Sequence, residues 1–338
     1  MMKCALFPRP GAGIELASIP IPEPKDQEVR IKVYACGVCH TDITVGEGKV
    51  DGITYPRVPG HEVAGVIDVV GKNVVGFKKG DRVGVGFYGG KHCGICKDCL
   101  NNSWTTCKKI ETCGTTYDGG FAEYMVAPQD ALAKIPEDLD FKYAGPLMCA
   151  GVTVYNSMRN MKMMPGSLIA IHGLGGLGHL AVQYGNKMGM EVAAIGLDRT
   201  NEELYKKLGA HHYFTNDEAV EKLTALGGAN LIVATAPHPP SIEKLQKALA
   251  NEGKLLVLTL IDSMTIDTMD LVLKKKSIVG FLTGDPRDME DTLKFSALTN
   301  VKPMIEEYPL EKVKLCMDKD HMAKAKFRNV LIIDKEKK

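Results

Sequence analysis

The sequence predicts an α/β chain of two domains: a compact antiparallel β-rich domain and, inserted into it, a doubly wound parallel sheet. Three observations carry that expectation. A length of 338 residues, 45% hydrophobic and 25% charged, makes about two domains at roughly 150 residues each, both large enough for a core. Short alternating runs cut by Gly and Pro fill residues 1 to about 145, whereas strand-like runs alternate with longer helical patterns from about 150 to 290. The closing run RNVLIID (328–334) fits a return to the first domain, which makes the middle an insertion. The expected division is 1–149 with 296–338 for the first domain and 150–295 for the second.

In the first domain EVRIKVYACGV (28–38), EVAGVIDVVG (62–71) and DRVGVGF (81–87) read as strands. In the second, the strands are SLIAIHG (167–173), VAAIG (192–196), HYF (212–214), LIVATA (231–236) and KLLVLTL (254–260). Between them LGHLAVQYGNKMG (177–189), NEELYKKLG (201–209) and IEKLQKALANEG (242–253) read as helices. That alternation implies a parallel sheet with helices on both faces. A further helix is expected at DMEDTLKFSALTN (288–300). The run Lys274-Lys275-Lys276 and the tail KEKK (335–338) read as solvated surface.

Composition narrows the function. With 42 basic and 41 acidic side chains the formal charge is +1, which argues against a polyanion-binding surface. No basic, aromatic-interleaved cluster supports a nucleic-acid partner. No stretch approaches the ~18 consecutive apolar residues of a membrane span, and the start MMKCALFPRPGAG has no long apolar segment of a secretory leader. A cytoplasmic protein is expected. Ten cysteines stand at 4, 36, 39, 93, 96, 99, 107, 113, 149 and 316, and in a reducing compartment clustered thiols are metal ligands rather than disulfides.

Three constellations carry chemistry. The first is Cys93-x2-Cys96-x2-Cys99-x7-Cys107, in a lobe at about 88–113. Zinc takes a tetrahedron of soft ligands, and four thiolates close the shell with no open position, so this site is expected to be structural. The second is dispersed over GVCHTD (37–42), PGHE (59–62) and PLMCAGVT (146–153). Cys39, His61 and Cys149 are its potential ligands; two thiolates and a neutral imidazole balance Zn2+ and leave a position open for Lewis-acid catalysis. Taken singly, Cys149 also reads as a small core residue and His61 as a packed histidine. The third is GLGGLG (173–178), with Gly173, Gly175 and Gly178 in the G-x-G-x-x-G pattern around Gly176 and Leu177. It follows an apolar strand and opens an amphipathic helix, the context in which glycines admit a pyrophosphate to a helix N-terminus.

CHTD, GHE, the cysteine-rich lobe, CAGVTVY and GLGGLGHLAVQY occur in this order over nearly the whole chain. Together they resemble the zinc-dependent medium-chain alcohol dehydrogenases. The resemblance implies a GroES-like β-rich catalytic domain with an inserted Rossmann domain, and two zinc ions per chain, one catalytic and one structural. It implies reversible hydride transfer between a primary or secondary alcohol and NAD(P)(H). A polyol or other secondary-alcohol dehydrogenase is the alternative enzyme; a catalytically silent nucleotide-binding relative would have lost zinc ligands, and none is lost here. The short chain with its lobe resembles tetrameric microbial members, with a dimer as alternative.

Residue by residue, Thr41 resembles the hydroxyl that relays the alcohol proton. Asp42 resembles the carboxylate behind the ligand His61, and Glu62 the acidic neighbour of the zinc that assists ligand exchange. His40 and Arg328 match positions near the cofactor pyrophosphate, and Phe87, Tyr88 and Val50 fall near pocket-lining positions. Two departures stand out. Thr44 occupies the place where many relatives end the proton relay on a histidine. Gly196 falls where NAD-specific relatives carry an acidic residue, about twenty residues past the glycines. Without that carboxylate a 2′-phosphate has room, and Arg199 is close enough in sequence to pair with it, while Asp198 could hold the ribose or repel the phosphate. The sequence therefore leans toward NADP(H).

Overall fold

In the computed structural model, which describes residues 1–50 and 52–334, the run Glu28–Gly37 is a ten-residue strand within a seven-stranded sheet. Its alternate positions Val29, Ile31 and Val33 are fully buried, as period-2 packing on a core requires. The sheet runs Ile305–Pro309, Arg328–Ile332, Glu28–Gly37, Glu62–Val70, Arg82–Val85, Leu132–Lys134, and Tyr124–Pro128 also pairs with Glu28–Gly37. All pairings are antiparallel except that of Ile305–Pro309 with Arg328–Ile332. The terminal strand thus joins the first sheet across some 290 residues of chain, with Val330 opposite Gly37.

The chain divides into two units, Met1–Val152 with Gly284–Lys338, and Thr153–Thr283. The return therefore comes at 284 and not at 296. The helix Pro286–Thr299 is the reason: it buries Met289 and Leu293, and its Glu290 accepts the Lys134 N–H at 3.0 Å within the first unit.

The second unit holds a six-stranded, all-parallel sheet. Its order is His212–Thr215, Glu191–Gly196, Leu168–His172, Ala229–Ala234, Leu249–Val257, Ser277–Gly280. In chain order that is 3-2-1-4-5-6, the doubly wound dinucleotide arrangement, with the switch point beside Leu168–His172. That strand is buried at every residue, as expected of a strand covered on both faces.

Two expectations fail here. The helix expected over 242–253 is Pro239–Leu245, and the chain is already strand from Leu249. A register shift between Ala229 and Leu231 and a left-handed Glu252 (φ 62°) let ANEG form an irregular strand start rather than a last helical turn. Lys276 is not solvated: it is 7% exposed, and its ammonium donates to the Gln246 carbonyl at 3.0 Å and pairs with Asp270. The tail 335–338 lies outside the described residues. Among the described residues, no helix is long and apolar enough to cross a membrane.

Candidate active site and metal centres

The first cluster begins with a helix cap. Cys39 is the extended residue before the helix His40–Gly46, and Asp42, three residues on, accepts the Cys39 N–H at 2.8 Å. The other Asp42 oxygen accepts the Gly60 N–H at 3.0 Å and faces His61 Nδ1 at 3.3 Å. One buried carboxylate therefore fixes both the loop that carries Cys39 and the ring of His61. Cys149 arrives on a π-helical turn, Leu147–Gly151, entered from Pro146. Wide turns of this kind re-aim side chains and recur at functional sites.

These elements bring Cys39 Sγ to 4.0 Å from Cys149 Sγ. Ligand atoms of Cys39, His61, Glu62 and Cys149 all lie within 4.8 Å of one another. Tetrahedral zinc with ~2.3 Å Zn–S bonds sets its sulfurs about 3.8 Å apart, so the set matches the ion in size. The chemistry matches too: His61 Nε2 and both Glu62 oxygens are buried without a hydrogen-bond partner, although such atoms are ordinarily paired. Their shared contact drives the Cys39 thiol well below its ordinary range and Cys149 well above it. Burial pushes the Glu62 carboxyl up to about 8, against the pull of Arg328.

Arg328 stands with its guanidinium 3.4 Å from Glu62 Oε1 and donates to the Val38 carbonyl at 3.2 Å, so it faces the cluster of Cys39, His61, Glu62 and Cys149. Gly37 escaped sequence reasoning altogether. A Cβ there would stand 1.9 Å from Glu62 Oε2, so the glycine is what admits the carboxylate.

Thr41 is half-buried, with its hydroxyl 3.7 Å from Cys39 Sγ. The Thr44 hydroxyl donates to the Thr41 carbonyl at 2.8 Å and is committed to its own helix. His40 is exposed at the start of that helix. Phe87 sets its ring edge-on to His61, with centroids 5.3 Å apart, and Tyr88 packs edge-on to Phe87. Val50 packs instead against the first unit's core.

The second cluster gathers Cys93, Cys96, Cys99 and Cys107, again within 4.8 Å. Backbone N–H groups of Cys93, Cys96 and Cys99 point at the sulfurs of Cys107, Cys93 and Cys96 at 3.3–3.5 Å. Such donors favour thiolates, and those of Ile95 and Cys96 hold Cys93 down to about 6. None of the ten cysteines is in a disulfide. Trp104 closes the lobe, stacked on His92 at 4.2 Å with the Arg287 guanidinium 4.0 Å from its ring centre. Cys99→Ala should leave a buried gap in this cage and lower the melting temperature, because closed zinc sites contribute folding energy. The emission of Trp104, the chain's one tryptophan, would report the loosening.

In the second unit, Gly173 takes φ 89°, and a Cβ on Gly178 would meet the Gly173 carbonyl at 1.9 Å. Gly176 and Leu177 turn the chain into the helix Gly178–Lys187, and Gly175 is exposed with open space beside it. The loop borders a cavity of about 560 Å³ whose lining includes Gly196, Asp198, Tyr213, His238 and Ser241. Arg199 does not line it. Its guanidinium is held by Glu202 at 2.7 Å and Glu218 at 2.8 Å. Asp198 does line it, and hydrogen bonds from Thr200 hold its carboxyl below the ordinary range. Tyr213, also unforeseen, puts its hydroxyl 2.1 Å from where a Gly196 Cβ would stand and donates to the Asp198 carbonyl at 2.6 Å.

The family descriptions "Alcohol dehydrogenase GroES-like domain" and "Zinc-binding dehydrogenase" match residues 25–137 and 176–297. An alcohol dehydrogenase named patD from Penicillium expansum is 43% identical, covering 92% of this chain and 91% of its own. An alcohol dehydrogenase of Geobacillus stearothermophilus is 35% identical, covering 98% and 100%. Among solved structures, a cinnamyl alcohol dehydrogenase of Sorghum bicolor superposes with a TM-score of 0.88 at 29% identity, covering 100% and 99%. A Helicobacter pylori counterpart complexed with NADP(H) gives 0.88 at 25% identity, covering 99% of each chain.

Proposed function

This chain belongs to the zinc-binding alcohol dehydrogenase family, and we propose that it interconverts a primary or secondary alcohol and its aldehyde or ketone at the cluster of Cys39, His61, Glu62 and Cys149. The observation that carries the reading is the buried, unpartnered His61 Nε2 beside two thiols and a carboxylate. A zinc ion held there supplies Lewis acidity toward the alcohol or carbonyl oxygen, and a nicotinamide cofactor exchanges the hydride. The protein's own part is to hold the donors through Asp42, keep Arg328 as counter-ion to Glu62, and pass the alcohol proton to Thr41 Oγ1. Since Thr44 brings no imidazole and its hydroxyl is tied to its helix, the proton leaves Thr41 through the cofactor's ribose hydroxyls, water or another base.

The four-cysteine lobe takes a second, structural zinc. The cavity beside GLGGLG takes the dinucleotide, with Asp198 toward the ribose, so NAD(H) is the preferred form and the lean of the sequence toward NADP(H) is reversed. The protein acts in the cytoplasm as a homo-oligomer, a tetramer or alternatively a dimer. The test is an alcohol and aldehyde panel with both cofactors, followed at 340 nm on protein purified without chelators and analysed for zinc. Activity on no alcohol or carbonyl at full zinc loading would refute it.

Thr41→Ala should lower kcat by about 10²- to 10⁴-fold, the usual worth of a positioned proton acceptor, while cofactor affinity changes little. Thr41→Ser, which keeps the hydroxyl, should recover most of the rate.

A further inference from the structure

Two loops border the cavity of about 560 Å³ beside GLGGLG, and a tyrosine hydroxyl holds a main-chain carbonyl in each. Tyr205, fully buried, donates to the Leu174 carbonyl of the glycine loop. Tyr213, on the strand His212–Thr215, donates at 2.6 Å to the Asp198 carbonyl, in the loop after the strand Glu191–Gly196. The two rings are neighbours, with centroids 6.5 Å apart. Asp198 is tied a second time through its side chain, which accepts the Thr200 N–H at 2.8 Å.

Tyr213 also decides what can stand at position 196. Its strand runs parallel to Glu191–Gly196, with Tyr213 beside Ala194 and Thr215 beside Gly196. A Cβ on Gly196 would stand 2.1 Å from the Tyr213 hydroxyl and 2.9 Å from the ring carbon that bears it. Both distances are too short for a real contact, and Tyr213 is 6% exposed, so a close-packed ring has little room to withdraw. The side-chain space at this strand end, where doubly wound folds ordinarily carry the acid that holds a ribose, is therefore filled by the hydroxyl. The carboxylate that lines the cavity is instead that of Asp198, two residues on, in the segment the same hydroxyl holds. One side chain thus closes one position to an acid and fixes the backbone of the other.

We propose that Tyr213 is a positioning residue that sets cofactor preference, by excluding a side chain at 196 and by holding the segment that carries Asp198. The proposal rests on the reading of this cavity as the dinucleotide site with Asp198 toward the ribose. Calorimetric titration of the zinc-replete protein with NAD⁺ and with NADP⁺ tests it. Tyr213→Phe removes the hydrogen bond and keeps the ring. It should bind NAD⁺ about 2- to 10-fold more weakly, as loss of one neutral hydrogen bond predicts, with a smaller loss for NADP⁺, so the preference narrows. Tyr205→Phe loosens the glycine loop, which meets the pyrophosphate common to both, and should weaken the two equally. Tyr213→Leu, whose side chain stops short of the ring's far end, opens the space at 196. Alone it should weaken NAD⁺. Combined with Gly196→Asp it should bind NAD⁺ at least about threefold more tightly than Gly196→Asp does, because the new carboxylate then has room; coupling of this sign marks side chains that compete for one space. An unchanged preference in Tyr213→Phe, an equal change of preference in Tyr205→Phe, or losses that merely add in the double variant would overturn the proposal while leaving the cavity reading intact. A wild type that binds neither dinucleotide, or prefers NADP⁺, would overturn that reading and the proposal with it.

Discussion

Cys149→Ala should abolish turnover, by about 10³-fold or more, and remove one of two zinc ions per chain while the fold survives. The size of the effect follows from Lewis-acid stabilisation worth several kcal/mol, at 1.36 kcal/mol per factor of ten. The survival follows from local structure. Cys149 stands inside a π-helical turn between Pro146 and the helix Val152–Asn160, and alanine keeps that backbone with one atom fewer. Removing it leaves the Asp42 bonds to Cys39 and Gly60 in place, so Cys39 and His61 stay where they are. The contrast with Cys99→Ala is the informative part: there stability falls, here activity does. Metal analysis, circular dichroism and the 340 nm assay on the two variants separate the cases. Two zinc ions in Cys149→Ala would remove Cys149 from the ligand set.

The two clusters were legible because their sequence signals are local. C-x2-C-x2-C-x7-C brings four cysteines together within one lobe, and CHTD carries both Cys39 and the Asp42 cap that positions it. What escaped the sequence is contact across long separations. Gly37 and Glu62 are opposite each other on neighbouring antiparallel strands, so the glycine's role exists only once the register is set. Arg328 lies 266 positions from Glu62, and nothing in KAKFRNVL says that its guanidinium turns toward a carboxylate. Lys276 looked solvated because three lysines in a row ordinarily are, yet its buried ammonium ties Gln246 to Asp270. The parallel sheet was readable from its apolar runs, whereas ANEG, with turn-like composition, is the irregular stretch between Leu249 and Lys254, the positions that pair with Ala229 and Leu231.

Cofactor choice should favour NAD⁺ over NADP⁺ by at least tenfold in kcat/KM, a difference that needs only about 1.4 kcal/mol. The absence of a carboxylate at Gly196 argues for NADP(H) only if a cation faces the ribose. Arg199 is instead gripped by Glu202 and by both oxygens of Glu218, and it is away from the cavity lining. A 2′-phosphate would have to take the guanidinium from two carboxylates while standing near a third, Asp198. Arg199→Ala should therefore leave the preference within about threefold of wild type. Asp198→Asn should weaken NAD⁺ and bring the ratio toward one, since it removes the charge that repels phosphate and the acceptor that suits a hydroxyl pair. Gly196→Asp should not sharpen NAD⁺ binding as it would on an open strand end. Its Cβ would stand 2.1 Å from the Tyr213 hydroxyl, so the tyrosine must move and release the Asp198 carbonyl. Both cofactors should then bind more weakly. Steady-state kinetics with each cofactor on the wild type and these three variants check the scheme, and a wild type that uses NADP⁺ as well as NAD⁺ would show that Arg199 swings away from its carboxylates to meet the phosphate.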